Sequence, residues 1–488
     1  MQKPIRRKDI YNLLPLFGVY TLALLLFSCF TSPLFPNLLG VDSSIFTLLG
    51  KGLLNGKEMY VGLFDHKGPF IFFFDALGYL MGGRSGIFVL QCLCGFVTVT
   101  FLYFTGRILR ADNQKITLPL MLLIFVLGMS TFLYTCEGGN LTEEYSLPFI
   151  AACCYMFVSY VNRAEKDAAH PPLYAFFYGV SLAVISLMRL NNAATIGAGV
   201  LFVFIYLCYR KQGKNLVLNL LAGIGGMAIV WIPVFLYFYL HGSLDEMIYA
   251  TFLHNFTIVG NTGRDSIFSS RGFITLYAPM ILSAALLVAE VIRNRKISAM
   301  DGLLGCLLVT NAACLLIANR FPHYFTIFCP VYLLFLFRYL RIHAKSVLFI
   351  AAVLCALLHL IPAAQRTVWQ WKTVYIDHNP RYETVAADMQ KIPEDERDSV
   401  IGFEIMAQDY LAGDILPCYK YYTLQNTWAI TSPHIVNDFV EWVDQNEPLW
   451  VIVAAGEENP DLFAVLQDKY EASHENAYMT YYRLQSIA

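Results

Sequence analysis

Apolar runs separated by short polar loops recur from Tyr11 to Ile361, and several are about 20 residues long, the length of a helix that crosses a bilayer. Hydrophobic residues make up 57% of the 488-residue chain and charged residues only 14%, whereas soluble domains are about a quarter charged. The pattern predicts about eleven crossings and a short membrane-hugging or tilted helix over Phe70–Met81. The predicted spans are Tyr11–Phe30, Ile87–Thr105, Thr117–Cys136, Tyr145–Val161, Leu173–Met188, Ala193–Tyr209, Leu216–Leu240, Phe273–Ile292, Gly302–Ala318, Tyr324–Phe337 and Val347–Ile361.

Basic residues concentrate in alternate loops, as the positive-inside rule expects of loops that face the cytoplasm. The loops concerned hold Arg107 and Arg110; Arg163 and Lys166; Arg210 and Lys211; Arg293 and Arg295; Arg338 and Arg341. We therefore expect a multi-pass protein of the cell membrane with a cytoplasmic N-terminus. An odd number of crossings then places the C-terminus outside.

The sequence changes character after Pro362, where polar residues replace the apolar runs. From Ala363 onward there are eight Lys and Arg against twenty Asp and Glu, so the rest of the chain is net positive. Short apolar runs at Ser399–Phe403 and Leu449–Ala454 indicate buried strands, and Tyr382–Gln390 and Asp461–Lys469 have helical spacing. The fold class predicted is a polytopic α-helical membrane domain over 1–362, followed by a soluble, extracytoplasmic α/β domain over 363–488.

Ionisable residues crowd the predicted outer loops, above all the loop over 33–69, which holds Asp42, Asp65, His66 and Lys67. Further members lie in the other outer loops: Glu143, Glu144, Arg189, Arg320 and His323. Carboxylates and cations at one membrane face can supply a general base and a cradle for an anionic leaving group. The acidic tail and the membrane spans give no indication of a nucleic-acid partner.

Five short motifs in this order resemble the polyprenyl-phosphate-sugar-dependent membrane glycosyltransferases of the GT-C class. They are Asp42 beyond the first span, DHKGPF at 65–70, NLTEEY at 140–145, RLNN at 189–192 and FPHY at 321–324. This class includes protein O-mannosyltransferases and aminoarabinose transferases, and the likeness is to glycosyltransferase family 39. The resemblance covers most of the chain, including the number of spans and the outward α/β tail.

The resemblance implies transfer of a sugar from a polyprenyl-phosphate donor to an acceptor hydroxyl, with inversion, at the outer face. Asp42 would be the general base, and Glu143 or Glu144 matches the second acidic position of the family. Lys67 and Arg189 would hold the donor phosphate, and the residues assisting them would be His66, Arg320 and His323. The acceptor could be a lipid, a glycan or a protein, and membrane lipids would surround the spans. No cofactor is predicted, although a divalent cation is left open.

Each assignment has a structural alternative. Asp42 could be the N-cap of a helix beginning at Ser43, and Lys67 could extend to lipid head groups. Other roles compete for the remaining groups: a solvated helix start for Glu143 and Glu144, membrane anchoring for Arg189, and a bond to a backbone carbonyl for His323. The alternative functions are a transporter or lipid flippase, and a noncatalytic partner in envelope polysaccharide assembly. Transporters place ionisable groups near the bilayer midplane, whereas here the acids cluster at span ends.

Overall fold

The computed structural model describes residues 7–110, 117–164, 168–255, 272–317, 321–343 and 346–485. The chain forms two compact units, each assembled from three stretches. The first comprises Met1–Leu34, Phe88–Tyr237 and Arg264–Val368, and the second comprises Phe35–Ile87, Phe238–Gly263 and Trp369–Ala488.

Helices dominate both units. In chain order they are α1 (Arg7–Phe27), α2 (Val41–Leu54), α3 (Pro69–Leu109), α4 (Leu118–Thr135), α5 (Thr142–Ala164), α6 (Pro172–Ser186), α7 (Ala194–Tyr209), α8 (Gly213–Leu240), α9 (Leu244–Ile248), α10 (Phe273–Asn294), α11 (Ala299–Ile317), α12 (Cys329–Tyr339), α13 (Val347–Tyr375), α14 (Pro380–Met389), α15 (Ala407–Gly413), α16 (Gln425–Ala429), α17 (His434–Asn446) and α18 (Pro460–Lys469). Shorter helical turns are the 3₁₀ segments Leu190–Ala193, Pro322–Phe328 and Glu394–Ser399 and the π-helical segment Tyr249–Leu253.

Nine helices among the described residues are long and apolar enough to cross a membrane, so the chain is a multi-pass membrane protein. The other two predicted spans are shorter in the structure. Pro172–Ser186 has 15 residues, and the predicted span Tyr324–Phe337 consists of a 3₁₀ segment followed by the 11-residue α12. Pro172 and Pro330 each occupy the first positions of a helix, where the missing N–H costs no hydrogen bond.

Helix α3 is two helices joined at Gly82 and Gly83, whose backbone angles are not helical. The φ angles of 146° and 62° are ones that glycine adopts without steric cost. The predicted short helix before this glycine pair is confirmed. The piece Pro69–Met81 belongs to the second unit, and most of the following piece belongs to the first.

The second unit contains a four-stranded sheet with strands β1 (Val400–Phe403), β2 (Trp450–Ala454), β3 (Tyr470–Glu475) and β4 (Met479–Leu484) in the order β1-β2-β4-β3. β1 and β2 are parallel, and the other neighbours are antiparallel. The two strands predicted from sequence are therefore confirmed, as are helices α14 and α18. Helix α13 continues through Pro362 to Tyr375 without ending where the apolar run ends. The domain division at 362 stays a prediction.

Candidate active site

Asp42 lies in the first turn of α2, within the second unit, and its side chain is half-buried. The helix begins at Val41 after the extended residue Gly40, which is the N-cap. The expectation that Asp42 caps a helix beginning at Ser43 is therefore wrong: Asp42 is already helical, and no side-chain cap bond forms. An acidic residue in the first turn is still favoured by the helix dipole. Its carboxylate has no hydrogen-bond or ion-pair partner among the described residues, which leaves it available to a ligand.

Helix α2 is held against the start of α3 by a close approach at Gly50. A Cβ at this position would lie 2.6 Å from the backbone nitrogen of Ala76, so only glycine fits. One turn earlier, the hydroxyl of Thr47 donates to Oδ1 of Asp75 at 3.0 Å, and Asp75 is fully buried. These contacts fix α2, and with it Asp42, against the helix that follows the polar loop.

The loop residues Asp65, His66 and Lys67 form a compact charged group directly before α3. The buried carboxylate of Asp65 accepts the backbone N–H of Lys67 at 2.8 Å, and its other oxygen lies 3.9 Å from Nδ1 of His66. The hydroxyl of Tyr60 donates to the carbonyl of Lys67 at 2.8 Å, and the side-chain amide of Asn255 donates to the carbonyl of His66 at 2.9 Å. The backbone of the loop is thus fixed from both sides.

The ammonium of Lys67 lies 2.8 Å from Nε2 of His66 and 5.9 Å from the centre of the Phe46 ring. Lysine only donates, so Nε2 accepts and the imidazole is neutral with its proton on Nδ1, toward Asp65. Only 6% of Lys67 is exposed, which does not fit a side chain extended to lipid head groups. Phe46 is one turn beyond Asp42 on α2, so Asp42 and the ring beneath the ammonium share one face of the helix.

Aromatic residues from distant parts of the sequence surround His66. The ring of Trp428 is 4.9 Å from His66 and 5.8 Å from Phe64, and the His254 ring is 5.8 Å from His66. Burial, and then the charge of Lys67 and of His434, lowers the pKa of His254 to about 4. The sequence did not predict the contacts of His254 and Trp428 with His66. No local signal connects residues so far apart in the chain.

The C-terminal segment also contacts the loop and α2. The backbone N–H of Phe64 donates to the carbonyl of Lys420 at 3.1 Å, and the ammonium of Lys51 pairs with Oδ1 of Asp414 at 2.5 Å. Residues after β1 therefore form one structure with the loop that holds Lys67.

The first unit brings together a second group of predicted residues, at the start of α5. Nη1 of Arg189 pairs with Oε1 of Glu143 at 2.9 Å, and the hydroxyl of Thr142 donates to Oε2 at 2.9 Å. The guanidinium lies 3.9 Å from the centre of the Tyr324 ring. The side chain of Glu143 is 1% exposed and that of Arg189 is 14% exposed. A solvated helix start and membrane anchoring are both excluded by this burial, because the two side chains neutralise each other inside the protein.

His323 lies next to this pair, with its ring 4.6 Å from that of Tyr324. Its Nδ1 is 2.6 Å from Oε2 of Glu137, so it interacts with a carboxylate rather than with the backbone carbonyl that the structural alternative expected. Glu137 has a positive φ of 46° in the turn before α5. Arg320, the remaining predicted phosphate ligand, lies outside the described residues.

Glu144 is buried in a polar network of the first unit. Its Oε2 accepts the side-chain amide of Gln91 at 2.7 Å and the backbone N–H of Asn140 at 3.0 Å, whereas Oε1 is buried and has no hydrogen-bond partner among the described residues. Gln91 is held in turn by the hydroxyls of Ser28 and Thr31. One oxygen of Glu144 is thus fixed and the other is left for a ligand or a proton.

Among the described residues, no group of three or more His, Cys, Asp and Glu side chains is arranged to hold a metal ion. The expectation that the protein works without a cofactor stays a prediction. Measuring the activity of the protein with and without added divalent cations tests this prediction.

Comparison with solved structures identifies the fold. The chain matches ArnT from Cupriavidus metallidurans bound to undecaprenyl phosphate with a TM-score of 0.62 and 11% identity, over 97% of this chain and 98% of that one. The apo ArnT structure matches with a TM-score of 0.54 at 13% identity, over 96% and 97% of the two chains. The apo oligosaccharyltransferase of Archaeoglobus fulgidus matches with a TM-score of 0.53 at 14% identity, over 97% and 74%.

Both relatives are GT-C glycosyltransferases, so the chain is a multi-pass membrane protein with the GT-C fold, and the resemblance predicted from its motifs is confirmed at the level of the fold. The model of the family described as competence-induced protein Ccs4 N-terminal domain matches residues 9–349. The chain belongs to this family. A comparison with curated protein sequences finds no match.

Proposed function

We propose that this protein is an integral-membrane glycosyltransferase. It moves a sugar from a polyprenyl-phosphate donor to an acceptor hydroxyl at the outer face of the membrane, in one inverting step. The GT-C fold supports this proposal, and so does the undecaprenyl phosphate bound by the Cupriavidus ArnT.

One observation carries the proposal: the carboxylate of Asp42 has no partner among the described residues, and its face of α2 also carries the ring of Phe46, which lies beside the buried ammonium of Lys67. Asp42 has no hydrogen-bond or ion-pair partner among the described residues, and Phe46, one turn further along α2, lies 5.9 Å from the ammonium of Lys67. A general base needs an available lone pair, and a departing phosphate needs a nearby cation. The carboxylate of Asp42 and the ammonium beside Phe46 support these two roles, and both groups belong to the second unit.

In the proposed step, the carboxylate of Asp42 takes the proton of the acceptor hydroxyl while the oxygen attacks the anomeric carbon from the face opposite the phosphate. The bond between the anomeric carbon and the phosphate oxygen breaks, and its electron pair stays on the lipid phosphate. Lys67 stabilises the charge that develops there, because a phosphate needs a cation rather than a proton to leave. His66, which is neutral and accepts from Lys67, orients the ammonium.

The residues of the first unit have separate proposed roles. Arg189 binds the donor phosphate, and Glu143 positions its guanidinium through the 2.9 Å ion pair. His323, held by Glu137, assists Arg189, since both side chains contact the ring of Tyr324. Because Glu143 is engaged by Arg189, Glu144 with its unpaired Oε1 is the better candidate for the second acid of the family.

The proposed orientation places the N-terminus in the cytoplasm and the C-terminal segment outside, following the distribution of basic residues between loops. Single cysteines introduced near Asn140 and Glu457 in a cysteine-free variant should react with an impermeant maleimide added to intact cells. Cysteines beside Lys211 and Arg295 should react only after the cells are permeabilised. Labelling of the Lys211 site in intact cells would show that the orientation is the reverse of the proposed one.

Transfer is tested with the purified protein in proteoliposomes, supplied with a lipid extract of polyprenyl-phosphate sugars and candidate acceptors, with mass analysis of the product. The wild type should form a glycosylated product, and Asp42→Asn should form it at least about a hundredfold more slowly. Asp245→Asn is the matched control, since Asp245 also lies in the first turn of a helix of the second unit but is exposed. Movement of sugar lipid across the bilayer without any product would favour the flippase alternative.

A further inference from the structure

The first unit contains a cavity of about 160 Å³ near the C-terminal ends of α3, α10 and α12. Four arginines line it, together with Glu290 and Tyr339: Arg110, Arg293, Arg338 and Arg341. A water molecule in the liquid occupies about 30 Å³, so the cavity has room for a phosphate group.

The charge of this cavity is strongly positive. Glu290 contributes one negative charge; it accepts from the guanidinium of Arg293 and from the side-chain amide of Asn294. Three helix C-termini near the cavity each add about half a negative charge. The four guanidiniums exceed these contributions, which leaves about one and a half positive charges without compensation.

A second carboxylate, that of Asp301, lies behind Tyr339 and is already engaged. The hydroxyl of Tyr339 donates to Oδ1 of Asp301 at 2.7 Å, and the backbone N–H of Ser298 donates to Oδ2 at 2.9 Å. Asp301 lies in the first turn of α11, where the positive end of the helix dipole offsets its charge. About half a negative charge remains, so about one positive charge is left at the cavity without compensation.

Arg110 provides the observation that points to a ligand. It is 5% exposed; its Nε donates to the carbonyl of Phe337 at 2.8 Å and its Nη2 to the carbonyl of Leu340, but its Nη1 is buried without a hydrogen-bond partner among the described residues. Burying a charged N–H without an acceptor is costly, and the burial lowers the pKa of the guanidinium. An anion in the cavity would supply the missing acceptor.

We propose that this cavity binds the phosphate of an anionic lipid. Arginine binds phosphate through paired N–H bonds, and basic pockets between membrane helices recognise lipid head groups. Ile292 and Ile297, next to the cavity-lining end of α10, are 70% and 68% exposed and could contact the acyl chains. The 18-residue helix α4, about 27 Å long, lies between Arg110 and Glu143 in the chain, so this cavity is separate from the group formed by Glu143 and Arg189 in the same unit.

The test measures the affinity of the full-length protein in detergent for dioctanoyl phosphatidic acid, with dioctanoyl phosphatidylcholine and inorganic phosphate as comparisons. The decisive variant is Arg341→Gln, because the side chain of Arg341 makes no hydrogen bond or ion pair with the described residues and its loss should not affect folding. Arg110→Gln removes two bonds to helix-end carbonyls and could unfold the protein, so it is a secondary variant. Lys214→Gln is the control, an exposed cation in the first turn of α8 that does not line the cavity and makes no side-chain hydrogen bond or ion pair with the described residues.

Phosphatidic acid should bind at least about tenfold more tightly than phosphatidylcholine, and Arg341→Gln should lose about tenfold of that affinity while Lys214→Gln retains it. Failure of inorganic phosphate to compete would identify the lipid as the ligand. Competition by millimolar phosphate would support the phosphate site but assign it to a soluble anion. Equal affinity of the wild type and Arg341→Gln would overturn the proposal, whatever the transfer assay shows.

Discussion

The ammonium nitrogen of Lys67 lies 2.8 Å from Nε2 of His66, so the lysine donates to a neutral imidazole. The same imidazole places its other nitrogen 3.9 Å from the carboxylate of Asp65. Asp65, His66 and Lys67 thus form a series of contacts that holds the ammonium of Lys67 in place inside the protein. A cation held in this way meets an arriving phosphate without losing conformational freedom.

Replacing Lys67 tests its proposed role as a phosphate ligand. Lys67→Ala should weaken donor binding and slow transfer together, whereas Lys67→Arg should retain part of both because the charge remains. Kinetics with a titrated donor lipid separate the two effects. Lys57→Ala is a control in the same loop, and unchanged kinetics in Lys67→Ala would leave the lysine with a purely structural role.

The ion pair between Glu143 and Arg189 should be strongly coupled because both side chains are largely buried. Removing one member, as in Arg189→Ala or Glu143→Gln, should cost about 3–5 kcal/mol of unfolding free energy, since the remaining group loses its partner. A double-mutant cycle by chemical denaturation should give a coupling energy above 1 kcal/mol, by order of magnitude. Additive effects would mean that the two residues act independently.

Measuring the affinity for the donor lipid shows whether Arg189 contacts the phosphate or is only a structural partner of Glu143. Arg189→Lys keeps the charge but not the paired N–H geometry, and it should weaken donor binding more than it affects stability. Wild-type donor affinity in this variant would remove Arg189 from the phosphate site and leave it a structural partner of Glu143.

His254 predicts a pH dependence of stability. Its pKa is lowered to about 4 in the folded protein, against an ordinary value of 6.5. Between these values the unfolded chain binds a proton that the folded protein does not, so stability is fully present above pH 6.5 and falls as the pH drops toward 4. The contribution of His254 changes the unfolding free energy by at most about 1.4 kcal/mol per pH unit.

The variant His254→Gln isolates this contribution. Denaturation curves between pH 4 and 8 should show a smaller pH dependence for the variant than for the wild type. Parallel curves would show that His254 titrates normally in the folded protein. His241→Gln is the control, because His241 is exposed and lies in the same unit.

Trp428 connects the C-terminal segment with the proposed phosphate loop through its contacts with Phe64 and His66. Trp428→Ala should cost about 3–5 kcal/mol of unfolding free energy because the side chain is 7% exposed and leaves a cavity. Donor affinity should fall as well, since the ring holds the residue that orients Lys67. Trp369→Ala, at a largely exposed tryptophan, should change neither quantity.

The sequence predicts the membrane part of the fold well because long apolar runs determine spans directly. The predicted span Leu173–Met188 corresponds to Pro172–Ser186 and Ala193–Tyr209 to Ala194–Tyr209. Strands β3 and β4 were missed; Tyr470–Glu475 is mostly polar and exposed, so β3 carries no buried-strand pattern. They are held by pairing with β2 and with each other, which single-sequence periodicity does not report.

The sequence predicted which residues belong to the site but not which of them contact one another. Sequence reasoning identified Lys67, His66, Arg189 and Glu143, yet it did not foresee that Glu143 neutralises Arg189 or that Trp428 packs on His66. Such pairings join residues tens to hundreds of positions apart, and only the tertiary fold brings them together. The capping alternative for Asp42 failed for a local reason, since extended Gly40 is the N-cap and the helix already begins at Val41.

The rate of sugar transfer by Asp42→Asn tests the central claim most directly. Asparagine has nearly the shape of aspartate and, because Asp42 makes no cap bond, the change should leave α2 and donor affinity near wild type. It cannot accept the proton, so transfer should fall by about 10²- to 10⁴-fold, while Asp245→Asn remains active. Turnover of Asp42→Asn at the wild-type rate, with product confirmed by mass, would contradict the account and move the search for the base to Glu144.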